Sequence, residues 1–181
     1  MAAIHMLQDP FYRRCIDLAQ RSDKEREHYG ALFVKKGHIC GEGWNRDALP
    51  EDQVKMGPVL HAEGASLSDA VRRGFDPGGG EIFVAGYFLS DKMLNIRTGA
   101  FFTCDLCPGV LAPYGVTHLN VPTVDGWRCL TLDEALTCSK DLMAGLVGEE
   151  RSRKRRTIGA TGVYLDQCAR WTPVQRFRPP Q

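Results

Sequence analysis

Two short stretches carry side chains that can do chemistry together. His61-Ala62-Glu63 offers an imidazole and a carboxylate two residues apart, and Thr103-Cys104-Asp105-Leu106-Cys107 offers two thiols three apart. Cysteines at i and i+3 lie on one face of a helix, so both sulfurs reach one ion. A helix N-terminus is electropositive and helps to hold them as thiolates. His61 adds a nitrogen from a second helix start. Three protein ligands, with the fourth tetrahedral position left for water, is the catalytic form of a zinc site. Zinc in such a site lowers the pKa of its water from ~15.7 toward ~7, and two thiolates offset part of that effect. In the first turn of a helix Glu63 leans past the helix end into the same cavity, where a carboxylate can carry a proton from water to a reacting substrate. A purely structural zinc site needs no such carboxylate.

Each motif alone says less. His-Ala-Glu occurs at many helix starts. Cys-x-x-Cys also fits a redox pair or half of a zinc knuckle. A knuckle needs a second pair, which the sequence lacks, and a redox pair explains neither His61 nor Glu63. The joint arrangement is what is specific.

The elements that must position these groups can be read from spacing. Asp9 and Pro10 open a helix as N-cap and first residue, followed by Phe11, Cys15, Leu18 and Ala19 at helical intervals; the polar run 21–30 ends it. Ala31–Val34 and His38–Trp44 form a hairpin turned at Lys35-Lys36-Gly37. Residues 46–60 contain two prolines and read as a loop. A helix begins near His61 and ends at Gly74, and Glu81–Leu89 is the strongest strand. Ala100–Thr103 is a short strand, a helix opens at the two cysteines, and Val116–Val121 is another strand. Thr131 and Glu134 form a capping box for a helix through Leu146. Thr161–Leu165 is a candidate last strand, and a hairpin through Trp127–Leu130 is the alternative. Alternation of strand and helix after the opening hairpin predicts an α/β protein with three layers, α/β/α, around a mixed sheet. Both motifs then open helices that follow sheet elements, which is where such folds bind ligands.

The pattern resembles the zinc-dependent cytidine and deoxycytidylate deaminase superfamily, whose signature is His-x-Glu followed by Pro-Cys-x-x-Cys. The resemblance runs from about Phe11 to Val121. It implies a cytidine-deaminase-like fold, with His61, Cys104 and Cys107 as zinc ligands and Glu63 as proton shuttle. Gly41-Glu42-Gly43-Trp44-Asn45-Arg46 resembles the end of the second strand in that superfamily, which implies a sugar contact for Asn45; Ala62 is a further candidate substrate contact. A histidine as first ligand resembles the deoxycytidylate, tRNA-adenosine and free-base branch, which implies parallel fourth and fifth strands. The sequence departs from the pattern at Thr103, where proline is usual, and at Pro108. The 41 residues from Glu63 to Cys104 are more than compact members have. The extra length falls at 90–99, where Lys92, Asn95 and Arg97 are candidate lid or phosphate contacts.

The implied activity is hydrolytic deamination of a nucleobase, with a cytosine ring favoured, in a nucleoside, nucleotide or related heterocycle. Alternatives are deamination of adenosine in tRNA or of single-stranded nucleic acid, and an inactive zinc-stabilised binding protein. The implied assembly is a homodimer or larger homo-oligomer.

Composition sets the frame. The chain has 181 residues, 43% apolar and 25% charged, which excludes wholesale disorder and suits one domain. No apolar run reaches the ~18–20 residues needed to cross a bilayer, and no secretory leader is recognisable, so the expected location is the cytoplasm, with no membrane partner. Seven cysteines cannot all pair. Cys15, Cys129, Cys138 and Cys168 have no close cysteine or histidine in sequence, and these four and Cys40 are expected to be buried fillers. The net charge of +1 divides unevenly: residues 151–181 hold eight basic side chains and one acid, giving +7, so residues 1–150 carry −6. We therefore expect a deaminase domain over 1–150 and a basic extension over 151–181. Its cluster RSRKRR (151–156) could meet the phosphates of a nucleic acid or nucleotide, or be a solvated tail.

Overall fold

The computed structural model describes residues 2–52, 54, 58–90, 94, 104 and 106–144. The helices are α1 (Ala2–Gln8), α2 (Pro10–Ala19), α3 (Ala62–Arg72), α4 (Cys107–Leu111) and α5 (Leu132–Ala144). The strands are β1 (Glu27–Lys35), β2 (His38–Trp44), β3 (Arg46–Asp47), β4 (Val59–Leu60), β5 (Glu81–Phe88), β6 (His118–Thr123) and β7 (Gly126–Thr131). Five strands make one mixed sheet in the order β2-β1-β5-β6-β7, and β3 and β4 pair separately. Among the described residues only β5 and β6 run parallel; β1 is antiparallel to both its neighbours.

Helices cover both faces. Alternate residues of β1 point to opposite sides, as a pleat requires. Leu32 and Val34 meet α2 through Cys15, Ile16 and Leu18, together with Phe83 and Ala85 of β5. Ala31 and Phe33 pack on the other side with Leu67 and Ala70 of α3, Cys107 and Leu111 of α4 and Ala135 of α5. This is the expected three-layer α/β/α arrangement. Full burial of a side chain such as Ile16 or Leu67 stabilises by about 1.5–3 kcal/mol.

Local chemistry explains the boundaries. Asp9 caps α2 by accepting from Tyr12 N at 2.9 Å, and Pro10 follows as expected. Helix α3 ends in a Schellman motif: Gly74 takes φ +83°, its N–H reaches Val71 O, and Phe75 N reaches Ala70 O. Thr131 and Glu134 form the predicted capping box, with Glu134 Oε2 accepting from Thr131 N and Thr131 Oγ1 accepting from Glu134 N. The β1–β2 turn needs positive φ at Lys36 as well as Gly37.

Several expectations need correction. Strand β1 begins at Glu27, inside the run read as polar linker, because pairing with β5 extends it: Glu27 stands opposite Phe88. Helix α1 had no sequence forecast. The 46–60 loop contains the β3–β4 ladder. The fourth and fifth strands of the sheet, β6 and β7, are antiparallel, so the hairpin alternative holds rather than the parallel pair that the histidine-type branch implies. Val124 and Asp125 turn it, and Gly126 takes φ +122° where β7 begins. Cys15 and Cys40 are buried fillers, Cys138 is half-buried, and Cys129 is exposed. Ala100–Thr103, Thr161–Leu165, Cys168 and the cluster 151–156 lie outside the described residues.

Candidate metal centre

Three elements converge on one point. The β4 strand leads into His61, the N-cap of α3, whose backbone is extended (φ −71°, ψ 157°) and whose side chain makes no capping bond. Its imidazole instead meets Cys107 of α4. Glu63 sits in the first turn of α3 and is 7% exposed. Cys107 opens α4 and is fully buried, whereas Cys104 is half-buried and precedes the helix. The cysteines thus do not share a helix face; a turn before α4 brings them together, with Leu106 N donating to Cys104 Sγ at 3.4 Å.

The four predicted centre residues do meet. Cys107 Sγ lies 3.4 Å from His61 Nδ1. One ligand atom each from His61, Cys104 and Cys107 can be chosen so that all lie within 4.8 Å of one another. With zinc bonds of ~2.3 Å to sulfur and ~2.0–2.1 Å to nitrogen, the ligand atoms of a tetrahedral site stand roughly 3.5–3.8 Å apart, so this donor set fits one ion.

The proton arrangement fits as well. The Cys104 thiol is lowered to about 4, first by the hydrogen bond from Cys107, with His61 adding to the effect against burial. Cys107 is held well above its usual value, first because it donates to Cys104, then by burial and by the negative charge of Glu63. Cys104 is therefore the readier of the two thiols to ionise; α4, with only five residues, is not what lowers it. Burial raises the Glu63 carboxyl, His61 opposes that, and Cys104 adds to it. Glu63 and Cys107 stand close enough for each to act on the other's ionisation. A buried carboxylate beside three metal-capable side chains can hold or release a proton at the spot where a ligand would react.

The other sequence candidates stand differently. Ala62 is fully buried as the first residue of α3. Asn45 uses its side chain on the backbone of β1: Oδ1 accepts from Tyr29 N and Nδ2 donates to Glu27 O, both at 2.7 Å. It thus continues the β1–β2 pairing one residue beyond Trp44. Lys92, Asn95, Arg97 and Thr103 lie outside the described residues; between them Leu94 is fully buried and bridges to Tyr87.

Sequence reasoning missed a buried ionic set that joins α2, β2 and α3. Arg14 of α2 forks onto Glu42 of β2 at 2.7 and 2.8 Å, and Asp69 of α3 accepts from Glu42 N and from Arg72. It also missed Asp52, which is bound to Arg46. Nothing in sequence marks a carboxylate in a polar stretch as buried. A cavity of about 320 Å³ opens there, between Trp44, Arg46, Asp52, Ser68 and Arg72. It includes none of the four centre residues.

A family model described as the cytidine and deoxycytidylate deaminase zinc-binding region matches residues 6–122. No curated protein matches the chain. Among solved structures, dCMP deaminase from the cyanophage S-TIM5, in complex with dCMP and dUMP, is 20% identical; the match covers 74% of this chain and 88% of that one, with a TM-score of 0.41. Cytidine deaminase from Burkholderia pseudomallei is 18% identical over 74% of this chain and 93% of that one, with a TM-score of 0.46. The Thermotoga maritima diaminohydroxyphosphoribosylaminopyrimidine deaminase/reductase is 22% identical over 65% of this chain and 29% of that one, with a TM-score of 0.39.

Proposed function

The chain belongs to the cytidine and deoxycytidylate deaminase zinc-binding family, and on that premise we propose that it is a zinc-dependent hydrolase that removes the exocyclic amine from a nucleobase, a cytosine ring before others, carried on a nucleoside, nucleotide or related heterocycle. The observation that carries the reading is the meeting of His61, Cys104 and Cys107 within one ion's reach, with the buried Glu63 against Cys107.

His61 Nδ1 and the two sulfurs would hold the zinc. When bound, zinc lowers the pKa of a water and so supplies hydroxide at neutral pH. Glu63 accepts a proton from that water as its oxygen adds to the amine-bearing ring carbon. It would pass that proton to the adjacent ring nitrogen, then take the proton of the newly added hydroxyl and give it to the amine, so that C=O forms as the C–N bond breaks and ammonia leaves. A raised carboxyl pKa suits this duty, because the group must both take and give a proton. The walls formed by α3 and α4 keep bulk water from the carboxylate. Asn45 and Ala62 are proposed substrate contacts, and Lys92, Asn95 and Arg97 proposed lid or phosphate contacts. Cytoplasmic location and a homodimer or larger assembly complete the reading.

A second substrate class, adenosine in tRNA or cytosine in single-stranded DNA, draws on the eight basic residues of 151–181. An ammonia-release screen decides between them. It offers cytidine, deoxycytidylate, cytosine, adenosine, guanine, tRNA and single-stranded DNA to the zinc-loaded chain, with Glu63→Ala as control. Release from one class, lost by about 10²-fold or more in the control, is the expected result. Activity retained by Glu63→Ala removes Glu63 from the mechanism, and no release from any substrate leaves a zinc-stabilised binding protein.

A further inference from the structure

The segment that delivers His61 is held from within by an ion pair. Between β2 and α3, the described residues 46–52, 54 and 58–60 include the β3–β4 ladder, where Arg46 stands opposite Leu60. Leu60 is the residue before the histidine ligand. The Arg46 guanidinium donates two bonds to Asp52, Nη1 to Oδ2 and Nη2 to Oδ1, each 2.7 Å. Asp52 Oδ2 also accepts from Leu49 N at 2.7 Å. The Asp52 side chain is 4% exposed and that of Arg46 21%. A second tie fastens the segment to α3: Val54 N donates to the buried Ser68 Oγ at 3.0 Å, and Val54 Cγ1 lies 3.5 Å from where a Cβ on Gly64 would stand.

Taking two charges out of water is unfavourable unless the pair is well made, and a two-pronged arginine–carboxylate contact is the well-made form. What it positions follows from the ladder. The His61 ring meets Cys107 Sγ at 3.4 Å, and the place from which it reaches is set by the way the chain enters α3. That entry is fixed at Leu60, across from Arg46.

We infer that Arg46 and Asp52 are positioning residues for the metal centre: their fork closes the 46–60 segment and presents His61 to Cys104 and Cys107 already oriented. Without it the imidazole samples a wider range of directions, and ion binding must order the segment as well as form bonds. The inference rests on the zinc reading above.

The test uses the full chain with cobalt(II) as a spectroscopic probe and zinc competition for affinity. The wild-type chain is titrated first; one ion per chain, with thiolate-to-cobalt charge-transfer bands, is expected. Asp52→Asn keeps the shape and removes the charge. It should weaken metal affinity by about 10-fold or more, the scale of lost outer-shell support, while the thiolate bands and the circular dichroism persist. Arg46→Lys keeps the charge and loses the fork, and should weaken affinity in the same direction by less. Asp76→Asn, which breaks the exposed Lys35–Asp76 pair, should leave affinity unchanged. If Asp52→Asn and Arg46→Lys unfold at lower temperature yet bind cobalt as the wild type does, the pair only stabilises the fold and the inference fails. If Asp52→Asn does not fold, Arg46→Lys decides alone. A wild-type chain that takes up no cobalt overturns the zinc reading and this inference together, and that outcome is visible before any variant is made.

Discussion

Glu63 is buried where its charge is unfavourable, and that has a measurable consequence for the metal-free chain. Burial raises its carboxyl above the unfolded value, so the fold binds this proton more tightly than the unfolded chain does. Its contribution to stability is complete below the ordinary carboxyl pKa and is lost as pH rises through the raised one. Metal-free Glu63→Gln should therefore be more stable than wild type at neutral pH, by about 1 kcal/mol on the scale of a poorly compensated polar group. The gap should close toward acid pH, and urea unfolding across pH reads it. Equal stability at all pH values would mean that the carboxylate is fully compensated by its neighbours. The same residue was legible in sequence because its spacing from His61 and the presence of Cys104 and Cys107 leave little else for it to do. Asp52 was not, because the features that matter, its depth and its partner Arg46, exist only once 46–60 has folded.

At the scale of elements, the approach of α3 to β2 sets how far the histidine end of the centre stands from the cysteine end. Gly41 and Gly43 make that approach feasible: a Cβ on Gly41 would meet Ser66 O at 2.2 Å, and one on Gly43 would meet Ser66 N at 2.3 Å. Both obstacles are helix backbone, which cannot rotate away. Gly43→Ala should push α3 off the sheet, with a destabilisation of about 1–3 kcal/mol, as overpacking usually gives. It should also lower deaminase activity beyond what the unfolded fraction accounts for, because His61 moves with the helix. Denaturant unfolding and activity per folded molecule test both; a stable variant with full activity would show that β2 and α3 can separate without cost to the centre. Caps and turns were readable from sequence because Asp9-Pro10, Thr131 to Glu134 and Gly37 act locally. The start of β1 was not: Glu27 and His28 look like linker, and they become strand because β5 lies alongside and Tyr87 Oη sits 3.0 Å from His28 Nδ1. The sequence left the last pairing open between a hairpin through Trp127–Leu130 and the parallel strands that the branch resembled by His61 implies, because only the paired backbones decide it.

For the molecule as a whole, charge is the property that separates substrate classes. Residues 1–150 carry −6 and residues 151–181 carry +7, so the two stretches would attract a phosphate backbone to different degrees. A free nucleotide presents one phosphate group to the centre and gains little from the extension. Single-stranded nucleic acid presents many, and each phosphate neutralised releases counterions, with log K falling by about 0.7 per contact for each unit of log salt. If the extension serves nucleic acid, a chain ending at residue 150 should bind tRNA or single-stranded DNA more weakly and with a flatter salt dependence, while metal content stays the same. If the substrate is a free nucleotide, kcat/KM for deoxycytidylate should match between the two chains at low and high salt. Measuring both quantities on the same pair of chains separates the readings, because an extension needed only for folding would lower metal content and both activities in parallel, and would leave the salt slope of the surviving protein unchanged.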